Sequence, residues 1–135
     1  MVDVVIQDKE LVVEINNEPG AAAIVFDLLG SGKINVDAMV AYSSNSAPKQ
    51  AWLHFHCDDL PSARKMLRKA GYKVTANPVI MLKLANRPGY MATALKMAAA
   101  KMIDFEYAYG STAGRAGFVV LRTQQVAKAL RALQG

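Results

Sequence analysis

The chain has one cysteine, one tryptophan and fewer acidic than basic residues, and each scarcity excludes something. With Cys57 alone there is no internal disulfide, which fits a reducing, cytoplasmic setting. No apolar run approaches the roughly 20 residues that span a bilayer, so no membrane partner is expected. The start, Met1-Val2-Asp3-Val4, lacks the basic-then-apolar order of a secretion signal. Sixteen Lys and Arg against eleven Asp and Glu leave a net charge of +5, which raises the question of nucleic acid. However, Arg64, Lys65, Arg68, Lys69, Lys128 and Arg131 fall at helical spacing opposite Ala63, Met66, Leu67, Val126, Leu130 and Leu133. They read as solvated helix faces, no aromatic residues interleave with them, and nucleic acid is not expected. Neither a carboxylate pair nor a Ser/His/Asp or Cys/His set stands out, so we expect no enzyme and no cofactor.

What is present is a repeat. Asn17-Glu18-Pro19-Gly20 and Asn86-Arg87-Pro88-Gly89 lie sixty-nine positions apart, each after an apolar run and before an Ala-rich stretch. Ile34-Asn35-Val36-Asp37 and Ile103-Asp104-Phe105-Glu106 match at the same offset. A shared offset at two motifs indicates a duplicated unit, and a functional site should therefore occur twice or lie at the seam between copies. A composition 53% hydrophobic and 20% charged is that of a folded globular chain. A single unit of this size is marginal alone, and two packed copies relieve that.

Residues 11–15 and 79–84 alternate as strands. Pro19-Gly20 opens a helix over 21–29, which Gly30-Ser31-Gly32 should stop. Strands over 34–42 and 51–57 are joined by the turn-rich Ser43 to Pro48. Asp58 or Asp59 caps the next helix, Pro61 sits in its first turn, Gly71 ends it, and residues 73–76 form a fourth strand. The unit is βαββαβ, with two helices on one face of an antiparallel sheet, an α+β ferredoxin-like arrangement. The expected domains are 1–77 and 78–135. The second copy ends after its helix at 123–133 with no room for a fourth strand, while residues 2–6 form a surplus one. That surplus strand could hairpin against residues 11–15 and cover an edge that would otherwise lie open.

A ferredoxin-like unit whose first strand runs into Asn-x-Pro-Gly and a helix resembles the ACT domain. Asn86-Arg87-Pro88-Gly89 and the Ile34-Asn35-Val36 that follows a glycine-ended helix look most like the regulatory domain of phosphoglycerate dehydrogenase. The resemblance covers about residues 10–135 and fits stand-alone tandem ACT proteins. It implies a non-catalytic regulator that binds an amino acid or similar metabolite where two ACT units lie side by side, with a metabolic enzyme as a possible partner. The ligand residues it implies are Asn86, Arg87, Pro88, Gly89 and Tyr90 with Asn35, and Asn17, Glu18, Pro19, Gly20 and Ala21 with Asp104. The chemistry is consistent: a helix N-terminus attracts a carboxylate, glycine admits close approach, and asparagine both donates and accepts. Asp104 departs from the family's asparagine, so the two sites should differ. The alternative for the loops is a plain strand-to-helix turn capped by asparagine, and a polar strand end would explain Asn35 and Asp104 equally.

Gly30-Ser31-Gly32-Lys33 follows a helix and precedes a strand, the reverse of a phosphate loop. His54 and His56 share one strand face, which raises a metal-sensing module as an alternative, although Cys57 points the other way and the second copy offers no histidines. A scaffold with vestigial sites is the third possibility. Strands apolar on both faces, such as Trp52 beside Leu53 and Met81 between Ile80 and Leu82, lead us to expect a homodimer or a higher even oligomer.

Overall fold

A computed structural model describes residues 2–134. In chain order the elements are β1 (Val2–Asn16), α1 (Ala21–Ser31), β2 (Val36–Ser44), β3 (Ala47–Cys57), α2 (Leu60–Lys69), β4 (Val74–Ala85), α3 (Tyr90–Ala99), β5 (Tyr107–Ala113), β6 (Ala116–Arg122) and α4 (Val126–Gln134). They form two compact units, Lys9–Asn77 and residues 2–8 with 78–134, so β1 and β4 each carry residues of both.

In the unit Lys9–Asn77 the strands are ordered β2-β3-β1-β4. β1 runs antiparallel to β3 from Leu11 opposite Phe55 to Asn16 opposite Gln50. The Glu14 N–H donates to the Lys73 carbonyl at 3.4 Å and the Asn77 amide to Glu10 at 3.4 Å, so β1 and β4 are antiparallel as well. Alternation puts Leu11, Val13, Leu53 and Phe55 on one face, where Val25 and Leu29 of α1 and Ala63 and Leu67 of α2 complete a buried core. Phe26 meets Phe55 edge-on at 5.8 Å. Ile24, although at helical spacing with this face, is exposed.

The other unit repeats the plan in the order β1-β4-β6-β5. Its core joins Ile80, Leu82, Leu84, Val119 and Leu121 to Ala94 and Ala98 of α3 and Ala129 and Leu133 of α4. Its fourth strand comes from the start of β1: Val5 packs against this core, and the Gln134 side chain donates to the Val5 carbonyl at 3.4 Å. The hairpin expected between residues 2–6 and 11–15 does not form, because β1 is one uninterrupted strand. Gln7-Asp8-Lys9-Glu10 offers no Gly, Pro or Asn, and Asp8 alone does not reverse the strand. Residues 73–76 and 79–84 are likewise a single strand.

The duplication extends to backbone strain. Gly20 and Gly89 have φ 87° and 86°, and Lys33 and Met102, again sixty-nine positions apart, have φ 62° and 58°. The Gly30-Ser31-Gly32 segment does end α1, which runs two residues beyond the expected 29, to Ser31, with Gly32 as its C-cap. The expected loop over Ser43 to Pro48 is a tight hairpin in which Ser44 pairs with Ala47, with an irregularity between Ser43 and Ser44.

Candidate functional site

Each Asn-x-Pro-Gly loop ends at a glycine in the left-handed region that serves as helix N-cap, with no side chain capping the first turn. A Cβ at Gly20 or Gly89 would meet nothing within 4 Å, so the positive φ, not crowding, requires glycine there. The first amide of each helix turns back on its own loop, Ala21 N–H to the Glu18 carbonyl and Tyr90 N–H to the Arg87 carbonyl, each at 3.2 Å, so the amides left unspent within the helix are the next two, of Ala22 and Ala23 and of Met91 and Ala92. Asparagine is not the cap. Asn17 Nδ2 donates to the Pro48 carbonyl at 2.9 Å, and Asn86 Nδ2 to the Gly114 carbonyl at 3.2 Å. Their backbone N–H groups donate to Lys49 and Arg115. In both copies the asparagine therefore ties the loop to the neighbouring hairpin, leaving its side-chain oxygen for another donor.

A cavity of about 430 Å³ lies beside the second loop, within the range of small-molecule sites. Asn86 and Arg87 line one side, Leu84, Val119 and Leu121 the floor, Met91 and Leu95 of α3 another wall, and Ala108 to Ser111 of β5 the rest. A cavity of about 330 Å³ occupies the same place in the other unit, lined by Asn17, Glu18, Gly20, Ala22 and Ala23, Leu53, and Ala41 to Ser43 of β2. Strand β5 was not among the residues singled out in the sequence. The signal for it was register: Ala41 faces Leu53, and Gly110, at the repeat offset, faces Val119.

Of the twelve expected ligand residues, the structure gathers Asn86 and Arg87 around one cavity and Asn17, Glu18 and Gly20 around the other. Pro19, Ala21, Pro88, Gly89 and Tyr90 shape the loops without lining these cavities. Asn35 and Asp104 line neither. Asn35 follows the C-terminal end of α1, whereas the Asn17 loop lies at its N-terminal end. Its backbone N–H donates to Asp58 Oδ1 at 3.0 Å, and its carbonyl accepts from the Asp58 N–H at 3.1 Å. Asp104 is exposed.

On the sheet face away from the helices, the unit Lys9–Asn77 holds a polar network. Glu10 is fully buried, and His54 Nδ1 lies 3.2 Å from its Oε2. The Tyr42 hydroxyl lies 2.8 Å from His54 Nε2. A neutral imidazole satisfies this set, with Nδ1–H donating to Glu10 and Nε2 accepting from Tyr42. Tyr42 also stacks between Trp52 and His54. Burial, and then the Glu10 charge, raises the Tyr42 pKa. In the second copy the corresponding positions are Val79, Val120 and Ser111, so this network belongs to one unit only. His56 Nδ1 pairs with Asp37 at 2.7 Å. Both ring nitrogens of His54 are thus engaged, and among the described residues no three His, Cys, Asp or Glu side chains are grouped to hold a metal. Cys57 is buried, and burial pushes its thiol up to about 11, which leaves it protonated near neutral pH.

A duplicated βαββα frame, a fourth strand drawn for one unit from the start of β1 and paired glycine-ended loops define a tandem ACT architecture. The chain belongs to the ACT domain pair family, whose model matches residues 4–133. No curated protein matches it in sequence. Among solved structures it is similar to protein BT0572 from Bacteroides thetaiotaomicron, with 24% identity, 96% of this chain and 88% of that one covered, and a TM-score of 0.88. It is also similar to the regulatory subunit of aspartate kinase from Thermus thermophilus, with 20% identity, 98% and 96% covered, and a TM-score of 0.69. The corresponding subunit from Thermus flavus shows 21% identity, 98% and 96% coverage, and a TM-score of 0.63. These likenesses establish the fold. Among the described residues, no helix is long and apolar enough to cross a membrane.

Proposed function

We propose that this ACT domain pair is a non-catalytic regulatory protein that binds an amino acid or a similar small metabolite at its Asn-x-Pro-Gly loops. The observation that carries this reading is the recurrence of a cavity at the same loop in both units, each beside unspent helix N-terminal amides. A turn that served only to join strand to helix would need no cavity twice. The reading extends to assembly. β2 and β5 end the strand order of their units, and β2 exposes Met39 and Tyr42, so a neighbouring ACT unit seated there would help close the sites. Residues such as Asn35 and Asp104 would then act from the neighbour, in a homo-oligomer or against a regulated enzyme. A cytoplasmic setting accords with the lone buried thiol.

The test is a thermal-shift screen against the twenty amino acids. A ligand that binds only the folded chain at a hundred times its Kd adds about 2.7 kcal/mol of stability, an easily read rise in Tm. If none of the twenty raises the Tm at millimolar concentration, the amino-acid reading fails.

A further inference from the structure

We infer that the two loop cavities are built for different ligands, and that the one at Asn86-Arg87 selects a small carboxylate with an apolar side chain. This rests on the reading of the loops as ligand sites and goes further by assigning chemistry to one of them. The residue that follows each loop asparagine sets the charge: Arg87 stands where the first copy has Glu18, and each lines its own cavity. An arginine beside the unspent Met91 and Ala92 amides adds to the attraction for a carboxylate, whereas a glutamate at the same place opposes it. The second wall sets the shape. Met91 and Leu95 lie one turn apart on α3, each 38% exposed, and with Leu84 and Leu121 they give the larger cavity an apolar side. At the Met91 position the first copy has Ala22, and its smaller cavity is walled by Ala22, Ala23 and Ala41. Two partly exposed apolar side chains facing a cavity gain by being covered, which a ligand with an aliphatic or thioether side chain does and a polar one does not. The Asn86 side-chain oxygen, left over after Nδ2 has donated to Gly114, accepts from an ammonium, so an α-amino acid satisfies every group present.

The experiment is isothermal titration of the full chain with L-leucine, L-methionine, L-serine, L-lysine and L-aspartate, repeated on Arg87→Glu, Met91→Ala and Lys96→Glu. Lys96 lies on the same helix outside the cavity and undergoes the same charge change. We expect leucine or methionine to bind at least tenfold tighter than the other three. Arg87→Glu should weaken that binding by roughly tenfold or more, and Met91→Ala by roughly fivefold, while Lys96→Glu leaves it within about twofold. Serine, lysine or aspartate binding as tightly as leucine would overturn the selectivity yet leave the general ligand-binding reading standing. So would an Arg87→Glu effect no larger than that of Lys96→Glu. Because Met91 brings only an apolar side chain to the cavity lining, an unaffected Met91→Ala also refutes the proposal, whatever happens to the arginine variant. Absence of binding by all five defeats this proposal, and only failure of the full screen defeats the general reading with it.

Discussion

Replacing Glu10 by valine removes the carboxylate beside a buried histidine, and the repeat supplies the control for that experiment. Glu10 has no exposed surface and His54 is 4% exposed, so neither can recover its lost partner from bulk water. Glu10→Val takes the acceptor from the buried His54 Nδ1–H and from the Asn77 side-chain amide, about 1–3 kcal/mol for each donor left unmatched and so about 2–6 kcal/mol together. For a chain of this length that corresponds to a fall in Tm of roughly 7–20 °C. The second copy carries Val79 and Val120 at the equivalent positions, both fully buried, and thus shows that the frame accepts an apolar pair there. The double variant Glu10→Val/His54→Val should therefore recover most of the loss. The smaller side chains leave some space, which should hold it about 1–2 kcal/mol below wild type. Tyr42 is 46% exposed, so its hydroxyl can turn to water when His54 is gone. Urea unfolding followed by Trp52 fluorescence reads the right region, since the only tryptophan lies in the same unit and stacks on Tyr42 at 5.7 Å. A double variant no more stable than Glu10→Val alone would refute the reasoning. The network would then be held by something other than mutual satisfaction of these two side chains.

Gly89→Ala should lose about 1–2 kcal/mol from its left-handed backbone alone, since the added methyl meets nothing within 4 Å; a thermal melt equal to wild type would contradict this. Cys57 should resist an aromatic disulfide reagent at pH 8 in the folded chain and react promptly in urea, because burial keeps its pKa near 11. The raised Tyr42 pKa means that its contribution to stability is intact below the ordinary tyrosine value of 10.0 and is lost as pH rises through the folded value. Tyr42→Phe should accordingly flatten the alkaline limb of the stability–pH curve. Deleting residues 2–7 removes the strand that carries Val5 and should destabilise the unit built on Pro78 onwards, read as a separate or earlier transition in calorimetry.

Much of this architecture was legible because it is written in short-range chemistry. Alternation at Leu11, Val13, Leu53 and Phe55 marks strands, and Asp59 caps α2 by accepting from the Ser62 N–H as its position before Pro61 implies. The source of the second unit's fourth strand was visible only as a mismatch, a surplus at one end and a deficit at the other. Nothing within residues 7–10 states which partner an extended segment will find, since strand pairing is a long-range choice. The polar network was missed for a related reason. His54 and His56 look alike in sequence, each separated from the next by one core residue, yet one is buried against a glutamate forty-four positions away and the other pairs with Asp37 nearer the surface. The loops were legible as a pair, but their asparagines do not cap the helices: each amide nitrogen ties its loop to a hairpin. That division of labour bears on any test by mutation. Asn86→Ala breaks a structural tie along with any ligand contact, so its effect on binding is ambiguous. Arg87, with its side chain on the cavity wall, separates recognition from folding.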